Sequence, residues 1–107
     1  MVHSDISFRK RKFDDGFGFT CMKAAYSLEI KGIMIYGFDS RVVIEAEGDH
    51  TKMEEFLMWL KINTKEEKEG IVCLKGVYTG KFSEFDIYRQ EYMPAAKKPG
   101  QFTSKTR

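Results

Sequence analysis

The stretch from Arg41 to Leu60, RVVIEAEGDHTKMEEFLMWL, leaves the chain few folds to choose from. Val42, Ile44 and Ala46 alternate with Val43, Glu45 and Glu47, the period-two pattern of a strand with one buried face. Gly48 and Asp49 stop that pattern. Thr51 and Glu54 have the spacing of a T-x-x-E capping box, which predicts a helix start. Met53, Phe56, Leu57 and Leu60 then recur at spacings of three, four and seven, so they share one helical face. Lys52, Glu55 and Lys61 occupy the other. A strand that feeds an amphipathic helix through so short a turn is half of a layered α+β unit, because each element needs another layer to cover its apolar side.

The rest of the chain supplies the other layers. Ser4 to Lys12 reads as a strand, with Ile6 and Phe8 on one face and the basic run Arg9-Lys10-Arg11-Lys12 at its end. Phe13 to Gly16 is loop chemistry, and Asp14 or Asp15 could cap the next helix. That helix is predicted over Phe17 to Glu29, its apolar face formed by Phe17, Cys21, Ala24, Ala25 and Leu28. Ile33 to Phe38 reads as a well-buried strand, and Phe38-Asp39-Ser40 as a hairpin turn. Asn63 to Gly70 is a charged loop. Ile71 to Tyr78 and Phe85 to Arg89 read as two more strands, joined by a turn at Thr79-Gly80-Lys81. This order predicts a ferredoxin-like βαββαβ sandwich of split βαβ type: an antiparallel sheet with two helices on one face, plus a short C-terminal strand. The domain is expected to span 1–92, with 93–107 as a disordered basic tail.

Composition excludes several classes. At 107 residues and 42% apolar content, the chain suits one domain with one core. No apolar run approaches the ~20 residues that span a bilayer. The N-terminal MVHSDISFRKRK has no apolar segment of signal-peptide type, so no membrane association and a cytoplasmic location are expected. The formal net charge is +2, and from Gln90 onward the chain holds Lys97, Lys98, Lys105 and Arg107 against Glu91, so the body is close to neutral. Cys21 and Cys73 lack metal-site spacing and read as small buried hydrophobes, with a disulfide between them left open. His3, in the terminus, and His50, beside a helix cap, are isolated in the sequence, so neither a metal site nor a cofactor is expected.

VVIEAEGDHTKMEEFLMWLK resembles the centre of the acylphosphatase family, where a strand ending in A-E-G leads to a helix ending in an F-x-x-W-L phrase. LEIKGIMIYGFDSRVVIEAEG is similar, without gaps, to the family's second and third strands. Gly80, Phe82, Ser83, Phe85 and Ile87 look like its closing phrase, so the resemblance spans about Ile6 to Tyr88. It implies a fold, and it implies where hydrolysis of acyl phosphates would take place. In the family a G-x-V-x-G-x-x-F-R loop holds phosphate on backbone amides at the start of the first helix, the Arg pairs with its oxygens, and an Asn on the second strand holds the attacking water. Here the gap-free register sets Phe17 at the Phe and Gly18 at the Arg. A two-residue gap instead sets Thr20 at the Arg. Lys10, Lys12 and Asp14 fall at the loop's landmarks, and Tyr36 falls at the Asn.

No catalytic residue therefore carries over, and a catalytically inactive, small-ligand or protein-binding module is expected. Lys12, Phe13, Gly16, Phe17, Gly18, Thr20 and Tyr36 are the candidate pocket, for a small anion or a protein partner. Hydrolysis with a substitute cation, Lys12 or an arginine, is the alternative. A second alternative is RNA binding on the sheet face, with the run Arg9 to Lys12 supplying cations and Tyr36 and Phe38 stacking on bases. The same basic run read as a solvated edge strand makes nucleic acid the less favoured partner.

Overall fold

The computed structural model describes residues 1–10, 16–37, 40–64 and 70–89. Lys12, Phe13, Asp14, Asp15, Phe38, Asp39, most of the charged loop after Asn63 and the basic tail lie outside them. The described elements are β1 (Val2–Arg9), α1 (Phe17–Ser27), β2 (Lys31–Tyr36), β3 (Arg41–Gly48), α2 (His50–Asn63), β4 (Val72–Gly76) and β5 (Phe85–Arg89). The sheet runs β4-β1-β3-β2-β5. Two split βαβ units interlock in it: β3 lies between β1 and β2, and β1 lies between β3 and β4. All of these contacts are antiparallel. The sheet as a whole is mixed, because β5 joins the far edge parallel to β2. β4 ends at one edge of the sheet and β5 begins at the other, so the connection crosses the sheet's end and delivers β5 in the direction of β2.

Period-two alternation decides which face is covered. Ile6 and Phe8 of β1, Met34 and Tyr36 of β2, and Val42, Ile44 and Ala46 of β3 are buried. They pack with Phe17, Cys21 and Ala25 of α1 and Met53, Phe56 and Leu60 of α2 in one core. The alternate residues face the other way, where no helix of the described residues packs. The expectation of a well-buried second strand holds for one of its faces: Met34 and Tyr36 are buried, while Ile35 between them is 38% exposed. The structure corrects the edge-strand reading of the basic run. β1 is interior, and Lys10 is only 2% exposed.

The capping differs from expectation too. α2 begins at His50, and its N-cap is Asp49, whose carboxylate accepts from the amides of Thr51 at 3.0 Å and Lys52 at 3.4 Å. Asp49 reaches the orphan amides two residues before the expected box could. α1 stops at Ser27 in a Schellman-type end, with Ile30 N–H on the Ala25 carbonyl and Glu29 N–H on that of Tyr26. Glu29 occupies the left-handed position there, at φ 57°. One glycine is dictated by close approach. At Gly32, φ 154°, a Cβ would lie 1.9 Å from the Glu45 carbonyl oxygen of β3. Both cysteines are free. Burial pushes the Cys21 thiol up to about 12, which leaves it a packing residue and not a nucleophile. No helix among the described residues is long and apolar enough to cross a membrane.

Candidate functional site

Two polar constellations lie at opposite ends of β1 and on opposite faces of the sheet. The first is the start of α1, where the resemblance places the chemistry. Gly16 caps the helix at φ 82°, a conformation that favours glycine. The first intrahelical bond runs from Thr20 N–H to the Gly16 carbonyl, 3.1 Å. The amides of Phe17, Gly18 and Phe19 therefore precede the ladder. Among the described residues no side chain caps this end, and its first turn holds no acid.

The candidate pocket residues divide here. Gly18 and Tyr36 meet: a Cβ on Gly18 would lie 3.1 Å from the ring carbon Cε2 of Tyr36 and 3.6 Å from Ile87. Tyr36 is 1% exposed. Phe17 is a core residue, packed edge-on to Phe8 at 5.9 Å and tilted against Trp59 at 5.7 Å. Thr20 is exposed, and its hydroxyl donates back to the carbonyls of Phe17 and Gly16 at 3.0 and 3.2 Å. Gly16 is exposed at the helix cap. Sequence reasoning missed Lys10, whose ammonium sits 5.3 Å from the centroid of the Phe17 ring. Its signal was its parity with Phe8, which puts it on the helix side. That parity also buries Lys10 and Tyr36, so neither offers the exposed cation and aromatic that the RNA-binding reading requires.

The second constellation had no counterpart in the sequence reading. β1 begins at Val2, two residues earlier than expected, so His3 is a strand residue paired with Glu47 of β3 and Gly76 of β4. Its Nδ1–H donates to Glu47 Oε2 at 2.7 Å. Its Nε2 faces Asp5 Oδ1 at 3.1 Å and Glu45 Oε2 at 3.9 Å. Glu47 accepts in addition from the Thr79 amide and hydroxyl at 2.9 and 2.8 Å and from the Gly80 amide at 3.0 Å. Lys81 lies 3.7 Å from the other oxygen of Glu45. Burial alone pushes the Glu47 carboxyl up, but these donors outweigh it and hold it at about 2. The hydrogen bond to Glu47 is the main cause raising the His3 imidazole, against burial, with Asp5 adding to the rise. His3 is therefore not isolated: the structure gathers an imidazole and three carboxylates beneath the β4–β5 connection.

The backbone plan then finds its likeness among solved structures. The acylphosphatase of Bacillus subtilis superposes with a TM-score of 0.72 at 23% identity, covering 81% of this chain and 98% of that one. The fold is acylphosphatase-like. An acylphosphatase from Coxiella burnetii matches with a TM-score of 0.66 at 15% identity, over 80% of this chain and 90% of that chain. The same acylphosphatase-like plan also matches BlrB, a BLUF protein, with a TM-score of 0.64 at 18% identity over 82% of this chain and 71% of that one. No family model and no curated protein matches. At these identities the likeness is one of backbone, and a backbone plan hosts many chemistries.

Proposed function

We propose that the chain is a non-catalytic acylphosphatase-like module that binds a small anion at the start of α1 without hydrolysing it. The contact between Gly18 and Tyr36 carries this reading. In the gap-free register these are the positions of the family's guanidinium and its water-holding amide. Here one has no side chain, and the other fills the space with a buried phenol ring. A bidentate cation and a positioned nucleophile would supply most of the catalytic advantage of such a site. What remains is attraction: amides ahead of the helical ladder, no acid in the first turn, and the Lys10 ammonium nearby.

Two measurements on the purified chain test this. Titration with inorganic phosphate should shift the amide resonances of Gly16, Phe17 and Gly18, while incubation with an aromatic acyl phosphate should give a rate indistinguishable from buffer. Absence of any shift at those amides would remove the anion site. Turnover in the ordinary enzyme range of ~1–10³ per second would overturn the non-catalytic reading. One observation favours that second outcome, the buried ammonium of Lys10 beside the helix start. If turnover is found, Lys10→Ala should abolish it.

A further inference from the structure

The sheet face opposite the helices carries a donor set that the α1 site does not use. Three ligand-type atoms, His3 Nε2, Asp5 Oδ1 and Glu45 Oε2, lie within 4.8 Å of one another. Their separations from the imidazole nitrogen, 3.1 and 3.9 Å, bracket the value a tetrahedral ion requires. With metal–ligand bonds of ~2.0–2.2 Å, two ligands of a tetrahedron stand about 3.4 Å apart.

The surroundings of the imidazole give the independent support. His3 is 6% exposed, and its Nδ1 meets Glu47 at 2.7 Å. The ionised Glu47 only accepts, so Nδ1 carries a proton and Nε2 is turned toward the two other carboxylates. Glu47 is itself locked by Thr79 and Gly80. This is the carboxylate–histidine arrangement that orients a metal-bound imidazole and raises its basicity. In the metal-free chain a proton on Nε2 is donated to Asp5 at 3.1 Å, and a divalent cation would take the place of that proton between the same atoms. Gly76 fits the same picture: a Cβ there would lie 2.9 Å from the ring carbon Cδ2 of His3, so the β4 backbone confines the imidazole. Asp5 and Glu45 are 47% and 36% exposed at the side chain, so solvent reaches the cluster from the open side.

We propose that His3, Asp5 and Glu45 form a divalent transition-metal site, zinc being the best match, with Glu47 as the positioning residue and a fourth place open to water. An imidazole with two carboxylates suits Zn²⁺ better than Mg²⁺, which prefers an all-oxygen octahedron. The ion would clip β1 to β3 beside the segment that leads to β5. It depends in no way on the reading of the α1 start, and either can fail alone.

The test is calorimetric titration of the untagged, EDTA-stripped chain with Zn²⁺ and separately with Mg²⁺, with Co²⁺ absorption reporting geometry. A single Zn²⁺ per chain is expected, with an intense tetrahedral cobalt band and far weaker Mg²⁺ binding. Asp5→Asn and Glu45→Gln, both exposed enough to leave the fold intact, should each weaken Zn²⁺ at least ~10-fold. Glu47→Gln should weaken it by ~10–100-fold, the range for groups that orient a ligating histidine. His50→Gln should leave it unchanged, although His50 stands 3.8 Å from Glu54 on α2. Absence of Zn²⁺ binding, equal binding by an Asp5→Asn/Glu45→Gln double variant, or loss of binding with His50→Gln would each overturn the site.

Discussion

The start of α1 and the His3 cluster lie at the two ends of one strand and have exchanged characters. From His3 to Lys10 the chain advances roughly 23 Å at ~3.3 Å per residue. At the Lys10 end, where the resemblance implies charge and water, the structure packs an aromatic ring onto a glycine and an ammonium onto Phe17. At the His3 end, four ionisable side chains converge and are satisfied by each other and by backbone amides. The same scaffold thus carries a buried aromatic ring beside the helix start on its helix face and a charged, part-exposed cluster on the other face. The difference shows why backbone likeness cannot locate chemistry: strand parity and side-chain identity decide where polar groups gather.

The largest expected effect tests the Lys10 end. Tyr36→Asn would restore the family's residue, but it would delete a fully buried ring and bury an amide in its place. Truncating buried aromatics costs ~3–5 kcal/mol, and the amide adds to that. Chemical denaturation should show a loss of that size, with no gain in acyl phosphate hydrolysis. A tolerated, active Tyr36→Asn variant would mean that the buried ring is only a lid.

The His3 end should respond nearly as strongly. Glu47→Ala leaves the imidazole of His3, two amides and a hydroxyl without their shared acceptor. Breaking one side of a buried charged network costs ~3–5 kcal/mol. The metal-free variant should lose stability by roughly that amount in urea unfolding. A loss below ~1 kcal/mol would show that the network is merely surface decoration.

The pH profile separates the two ends next, measured in EDTA. Glu47, held at about 2 and so below its unfolded value, stabilises fully above roughly 4.5, and that contribution disappears as pH falls toward 2. His3, raised above 6.5, stabilises fully below that value, and its contribution disappears as pH rises through the folded value. The cluster therefore contributes most between about 4.5 and 6.5. Melting temperature should peak in that window, and Glu47→Gln should flatten the acid limb. An unchanged acid limb would place the cluster's stabilisation elsewhere.

The legibility of the two ends differs for physical reasons. The fold was readable because alternation in Val42–Glu47 and the three–four spacing of Met53 to Leu60 are dictated by burial, and burial is local in sequence. β5 was legible as a strand, but its parallel pairing with β2 was not, since that depends on where the preceding segment crosses the sheet. Gly18 and Tyr36 are legible as the family's landmark positions, but their contact is not, because contact is not a sequence property. Thr20 falls at the family's arginine only in the gapped register, and its hydroxyl bonds its own helix. The His3 cluster is not legible from a strand that begins at Ser4, where the apolar alternation starts. Moving its start to Val2 puts His3 opposite Glu47, with Asp5 opposite Glu45. Alternation of polar residues at 3, 5 and 7 was the available signal, hidden because a terminus reads as frayed.

The smallest effect gives the finest view of the Lys10 end. Gly18 lies in the first turn of α1, where Ala would gain up to ~1 kcal/mol in helix propensity. Its new Cβ would stand 3.1 Å from Tyr36 Cε2, closer than ordinary contact. The ring is buried between α1 and the sheet, so it must shift by a few tenths of an ångström in a packed interior, where even small strains are felt. We expect the clash to win narrowly, with Gly18→Ala destabilising by roughly 0.5 kcal/mol. The sign rests on the ring, so a double-mutant cycle decides it. In a Tyr36→Leu background the same Gly18→Ala change should become stabilising, because its propensity gain is then unopposed. If Gly18→Ala destabilises equally in both backgrounds, Gly18 is set by the helix start itself and not by the phenol ring of Tyr36.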